Sequence, residues 1–417
     1  MPHATPKYDD VLSINEVLTR EHRASQSMKQ FKSVFLLSAA IASPGWVVAQ
    51  TQYNQVPSRI VGQPQLQQIG TPTMIAPNLV EGREFRVPEA VALDTSVTPP
   101  ILYVVDTGNN RVLAWKNASG FTLNAQKADL AIGQRDLFST TAQGPGSALS
   151  SGLAVPTAAV VDSSGNLYVA DGGNNRIVRY PAPFKQTSPL LGIDLIIGQS
   201  DSNSRSVNQG NSTPSATSLA LESGSASFRV GMAFDSSGNL WASDPGNNRV
   251  LRFPAATLTP GGNGPAADIV LGHGDFVTSS LPSSVMLTGK NFLSQPAGLA
   301  FDPKGRLFVA DNPGTGNDGR VLVFQPPFSI GEAASRIMGL IPPTQANPNP
   351  PTIGAGTLGG AGGSPQGVFF VGSNPYIVDT GNARILEYMP YDSWPAEATS
   401  FSPVATTVLG QMDFLSN

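Results

Sequence analysis

The sequence predicts an all-β fold built of repeated antiparallel units, and three observations carry the prediction. First, the stretch Leu167 to Tyr180, LYVADGGNNRIVRY, recurs as LYVVDTGNNRVLAW from Leu102, LWASDPGNNRVLRF from Leu240, LFVADNPGTGNDGRVLVF from Leu307 and YIVDTGNARILEY from Tyr376. Self-similarity at a fixed period is the signature of a repeat architecture. Second, each copy has a short apolar stretch ahead of it and another behind it. Third, 43 Gly and 36 Pro with only 13% charged residues suit many turns and short strands better than helices.

Within one unit the elements follow from local chemistry. The opening strand is AVALD (Ala90 to Asp94), AAVVD (Ala158 to Asp162), GMAFD (Gly231 to Asp235), AGLAFD (Ala297 to Asp302) or GVFFV (Gly367 to Val371). Turn sequences such as Ser163-Ser164-Gly165-Asn166 and Ser236-Ser237-Gly238-Asn239 then lead into a hairpin. Its two apolar runs flank a polar knot in which Asp is expected to accept hydrogen bonds from amides two or three residues on, while Gly and Asn tolerate positive φ. The fourth strand is LAIGQRD (from Leu130), LIIGQSD (from Leu195), IVLGHGD (from Ile269), RIMGL (from Arg336) or VLGQMD (from Val408). Four strands in meander order make a propeller blade, and five blades are expected near 88–133, 156–198, 230–272, 296–339 and 365–410.

The order P-x-G-x-A-x-D, G-N-L-Y-V-A-D, G-N-N-R-V resembles the NHL-repeat family of β-propellers, from Pro88 to Phe414, and points to an exported, bacterial-type member. The resemblance is specific for fold and open for function. Similar propellers serve as protein-binding modules, extracellular sensors, RNA-binding domains and a few lyases or lactonases.

Ahead of the repeats, residues 1–27 are polar and match nothing later, which is expected of a non-globular segment or an over-extended start, with translation beginning at Met28. Lys29 and Lys32 precede the apolar run Val34 to Ala42, and Val47-Val48-Ala49 suits a signal peptidase, so 28–49 reads as a signal peptide cut after Ala49. The competing reading, a membrane anchor, is disfavoured by a run well short of the roughly 20 residues a span needs. Export to the periplasm or exterior is therefore expected, with no membrane span in the mature chain of 50–417. The lack of Cys is compatible with that and removes any disulfide framework.

Ser58 to Pro64, SRIVGQP, matches the fourth-strand motif, which suggests one N-terminal strand of a sixth blade. The anchors Asp106, Asp171, Asp244, Asp311 and Asp379 recur about every 70 residues, so a sixth would fall about 30 residues past Asn417. Three outcomes stay open: an open ring, closure as five with a surplus strand, or, the favoured one, truncation. The period is long for a propeller because of loops such as Pro181 to Asp194, Ser200 to Phe228 and His273 to Ser294. The last two share a rim with the hairpin turns, and any binding surface is expected there.

The conspicuous polar residues are the pairs Asp106/Arg111, Asp171/Arg176, Asp244/Arg249, Asp311/Arg320 and Asp379/Arg384. They could ring a channel, but one pair per blade argues for structure, with Asp capping its turn and Arg tying neighbouring blades. Only His3, His22 and His273 exist, and two precede the expected cleavage site. A zinc site needs three or four ligands, mainly His and Cys, which argues against the zinc-dependent amidating lyases that share this repeat. His273 stands where Gln134, Gln199 and Gln411 stand in the Gly-Gln-x-Asp motif of Gly133, Gly198 and Gly410, so it reads as a loop substitution.

No G-x-S-x-G elbow occurs. A calcium-assisted lactonase would draw oxygen ligands from Asn109, Asn174, Asn247 and Asp311, and Asn382 shares their rim position. The Gly-rich run Gly354 to Gly363 lacks the Lys-Ser/Thr ending of a phosphate loop. A net charge of −4 without a basic cluster in the repeats argues against nucleic acid. The expectation is a non-catalytic, extracytoplasmic binding or scaffolding module for a protein, peptide or glycan, without a catalytic residue, metal or cofactor. The alternative is a metal-assisted hydrolase, lactonase or lyase acting at the channel with calcium.

Overall fold

The computed structural model describes residues 61–62, 80–122, 126–144, 150–223, 226–227, 229–283, 287–313, 319–342, 353–359 and 365–416. The non-globular start, the signal peptide and the strand residues 58–60 lie outside them. Five four-stranded antiparallel sheets follow one another, each in sequential order. Blade one holds β1 (Pro88–Asp94), β2 (Ile101–Asp106), β3 (Arg111–Trp115) and β4 (Leu130–Ile132); blade two holds β5 (Pro156–Val161), β6 (Leu167–Asp171), β7 (Arg176–Tyr180) and β8 (Leu195–Ile197). A two-stranded hairpin, β9 (Glu222–Ser223) and β10 (Ala226–Ser227), precedes blade three: β11 (Met232–Phe234), β12 (Leu240–Asp244), β13 (Arg249–Phe253) and β14 (Ile269–Leu271). Blade four holds β15 (Leu299–Phe301), β16 (Leu307–Asp311), β17 (Arg320–Phe324) and β18 (Arg336–Met338); blade five holds β19 (Gly367–Val371), β20 (Asn374–Asp379), β21 (Arg384–Tyr388) and β22 (Ala405–Leu409).

The second strands are apolar at almost every position because blades stack face to face and bury both sides. Alternate residues of one strand therefore enter different cores. Tyr168 and Ala170 of β6 pack with Leu240, Ala242 and Phe253 of blade three, whereas Leu167 and Val169 pack with Tyr103, Val105 and Ala114 of blade one. Trp241 joins blades three and four, and Phe308, Val321 and Met338 join blade four to Ile377, Leu386 and Tyr388 of blade five. The outward side of blade one packs Val104, Leu113 and Trp115 against Val61 and Phe85.

Each fourth strand ends in a Gly with φ between +85° and +96° (Gly133, Gly198, Gly272, Gly339, Gly410). A Cβ at Gly133 would lie 2.6 Å from the Leu153 side chain of the next blade, and one at Gly198 would lie 2.6 Å from Leu219, so only Gly fits. Gly62 has φ +92° and its Cβ would meet Phe85. Gly62 thus shares the backbone geometry of the glycines that follow the fourth strands. No sixth four-stranded sheet occurs among the described residues.

Candidate functional site

In blades one, two, three and five the polar knot is one turn of 3₁₀ helix followed by a left-handed residue. In blade two, Asp171 ends β6 and Arg176 begins β7. Asp171 Oδ1 accepts the Ala154 amide at 2.7 Å, and Oδ2 accepts Asn174 Nδ2 and Arg176 Nε, both at 2.8 Å. The same set recurs around Asp106 with Arg86, Asn109 and Arg111, around Asp244 with Ala220, Asn247 and Arg249, and around Asp379 with Gly359, Asn382 and Arg384. Blade four, with its longer turn, keeps the Ser294 amide and Arg320 on Asp311. All five pairs are buried.

Two details differ from the sequence expectation. The Asp does not cap its own turn: no side-chain cap bond forms there. Both carboxylate oxygens are turned instead toward the segment ahead of strand one and toward the Asn and Arg side chains. Nor does the Gly take positive φ. That role falls to the second Asn, with φ +52° at Asn110, +49° at Asn175 and +54° at Asn248, and to Ala383 at +49°. Gly108 is needed for close approach, since a Cβ there would lie 2.8 Å from the Arg86 carbonyl oxygen.

The Arg of blades two, three and five clamp the loop ahead of strand one to the segment after strand four. Arg111 holds the latter, at Leu137 O, whereas Arg320 holds the former, at Leu287, Gly289 and Phe292 O. Arg249 donates from Nη1 to Phe276 O, after strand four, and from Nη2 to Ser215 O and Ser218 O, ahead of strand one. The link between blades comes from the left-handed Asn. Asn110 Oδ1 accepts the Val155 amide, Asn175 Oδ1 the Leu221 and Glu222 amides, and Asn248 Oδ1 the Gln295 amide.

Asn174 Oδ1 accepts Gln143 Nε2 at 3.3 Å, and Asn247 exchanges two amide bonds with Asn208. These oxygens, which calcium would need, are turned into loop contacts. Asn382 donates to Asp379 and Gly359 O, and its Oδ1 is buried without a partner. Among the described residues, no three His, Asp or Glu side chains converge as a metal site would require.

Burial raises the carboxyl pKa of Asp171 and Asp244, against the pull of Arg176 and Arg249. Asp311 is pushed up to about 6 by burial, opposed mainly by Arg320. The motif Gln134 donates to Asn110 O and Thr141 O, and Gln199 to Asn175 O and Ser206 O. His273 takes the equivalent place, its Nε2 at 3.1 Å from Asn247 O. A carbonyl only accepts, so the proton sits on Nε2, and burial lowers the imidazole pKa.

Sequence reasoning missed three residues at the start of the first strands: Glu89, Thr157 and Arg229. Arg229 Nη2 lies 3.8 Å from Glu89 Oε1, and burial raises the Glu89 pKa, opposed by Arg229. The signal was present in the sequence. Blades four and five open with Pro-x-Gly (296–298, 365–367), whereas blades one and two read Pro88-Glu89-Ala90 and Pro156-Thr157-Ala158.

Five sheets of four strands, joined by one repeated Asp-anchored hairpin, define a β-propeller. The NHL repeat model matches residues 153–180, the stretch containing Asp171 and Arg176. The chain therefore folds as a β-propeller and carries an NHL repeat in its second blade. No curated protein matches it in sequence. Among solved structures it is similar to catalytically inactive virginiamycin B lyase from Staphylococcus aureus with quinupristin, at 12% identity and TM-score 0.38, over 76% of this chain and 84% of that one. It is similar to a gluconolactonase from Xanthomonas campestris at 14% identity and TM-score 0.37, over 80% and 78%. It is also similar to PQQ-bound aldose sugar dehydrogenase from Streptomyces coelicolor, at 15% and 0.40, over 80% and 84%. None of the three assigns an activity to this chain at such distance. No helix among the described residues is long and apolar enough to cross a membrane.

Proposed function

We propose that this NHL-repeat propeller is a non-catalytic, exported binding module that presents its loop-rich rim to a protein, peptide or glycan. The observation that carries the reading is the division of labour on that rim. The repeated Asp, Asn and Arg side chains are turned inward and hold the loops, while the loop crests carry exposed side chains. Between blades two and three, Asn208 is buried on Asn247, Gln209 Nε2 donates to Thr217 O, and Arg249 holds Ser215 and Ser218. Asn203, Arg205, Asn211, Ser212 and Thr213 point outward from the same loop. A loop fixed from inside loses little entropy on binding, and its polar crest can supply directional hydrogen bonds.

The test is a screen of the full chain on peptide and glycan arrays, followed by alanine at those five crest positions. Loss of capture with an unchanged melting temperature supports the reading. Turnover of a lactone that stops with EDTA and returns with calcium would replace it with the metal-assisted alternative.

A further inference from the structure

Strand one is the part of the blade that departs most from the repeat. In blades three and four the backbones of adjacent first strands nearly touch. A Cβ at Gly231 would lie 2.3 Å from Ala297 O, and one at Gly298 would lie 2.5 Å from Gln366 O. Blades one and two have Ala at the corresponding position, and each first strand opens with a register shift instead. The residue left out of the pairing is Glu89 between Pro88 and Ala90, and Thr157 between Pro156 and Ala158. A bulge of this kind re-aims a side chain, and bulges concentrate beside functional sites.

Both re-aimed groups hold a buried oxygen with no hydrogen-bond partner, Glu89 Oε2 and Thr157 Oγ1. Thr157 as a whole is 3% exposed. Glu89 Oε1 faces Arg229 of blade three at a distance long for an ion pair, and the Arg229 side chain is 43% exposed. The first strand of blade two, which carries Thr157, packs against the first strands of both blade one and blade three. A buried acceptor without a donor costs stability and calls for an explanation. Glu89 sits beside a cation open to solvent, and this arrangement occurs once among the described residues.

We propose that Glu89, Thr157 and Arg229 form a binding site for the head group of a small zwitterion, an α-amino acid or short peptide. The ligand ammonium has N–H donors for Glu89 Oε2 and Thr157 Oγ1, and the ligand carboxylate pairs with Arg229. A neighbouring carboxylate and guanidinium match a zwitterion in charge and leave the complex neutral, whereas an amine or an acid alone leaves one partner uncompensated. The site uses none of the exposed loop crest, so it and the rim-binding reading can fail separately.

Calorimetric titration of the full chain with glycine and glycylglycine tests the proposal, with ethylamine, acetate and glycerol as controls. The two zwitterions bind, and ethylamine and acetate bind at least roughly tenfold more weakly. Glu89→Gln and Arg229→Gln each weaken zwitterion binding by about tenfold or more, and Thr157→Val by a smaller factor. Arg229 is half exposed, so Arg229→Gln keeps the test decisive even if the other variants fail to fold. The proposal is overturned if the wild-type chain gives no heat with either zwitterion, as a site filled only by water would. It is equally overturned if glycerol binds as tightly, or if Arg229→Gln leaves affinity unchanged.

Discussion

Two sets of polar residues stand at the same end of the blades, and they are built in opposite ways. The Asp and Arg of the hairpins occur in every blade, are buried, and meet a partner on both carboxylate oxygens. Glu89, Thr157 and Arg229 occur once, rest on irregular strand starts, and leave two buried oxygens unpaired. Repetition with both carboxylate oxygens paired is what a structural device needs, because every blade must close its own rim. Singularity with incomplete pairing is what a site needs, because its remaining bonds await something else.

Removing one member of a repeated set should cost the most stability. Arg249→Met leaves the Asp244 carboxylate buried without its cation and frees the Phe276, Ser215 and Ser218 carbonyls. A loss of about 3–5 kcal/mol is expected by urea unfolding. Replacing the pair together, as Asp244→Leu with Arg249→Met, should cost less than the single change, since no uncompensated charge remains.

Next in size are the links between blades. Asn175→Ala removes the acceptor for the Leu221 and Glu222 amides and the donor to Arg205 O. About 2 kcal/mol should be lost, measured the same way. Blade five offers the reverse experiment. Ala383 occupies the left-handed position without an Asn side chain, so Ala383→Gly should raise stability by about 1 kcal/mol through relief of the unfavourable φ.

A smaller effect comes from pH. Burial lifts the pKa of Asp311 from 3.8 to about 6, opposed mainly by Arg320. A raised folded pKa means that this group's contribution is fully present below about 3.8 and is lost as the pH rises through about 6. Thermal melts between those values should therefore decline less with pH in Asp311→Asn than in the wild type. Smallest of all, EDTA or calcium should leave the wild-type melting temperature unchanged, because the Asn174 and Asn247 oxygens are already engaged by Gln143 and Asn208.

The blades were legible in the sequence because the same residues recur in the same order: β6 and β7 begin and end on the Leu167, Asp171, Arg176 and Tyr180 of the repeated motif. The turn mechanism was less legible. Asp171 finds its amide at Ala154, and Asn175 finds its partner at Leu221, in the next blade. Separations of that size are set by how loops fold back over the rim, which no local pattern encodes. Glu89 and Thr157 were hidden for a related reason. A reading organised by what repeats weights periodic residues and passes over the two strand starts that break the period, although Ala90 and Ala158 in place of Gly already marked them.

If the repeated sets hold the fold and the singular set does not, urea unfolding of Arg249→Met and Glu89→Gln beside the wild type separates them. A large drop in midpoint is expected for Arg249→Met. An unchanged or raised midpoint is expected for Glu89→Gln, which removes a largely buried charge faced by a distant Arg229. A wild-type midpoint in Arg249→Met, or a comparable collapse in Glu89→Gln, would contradict that division.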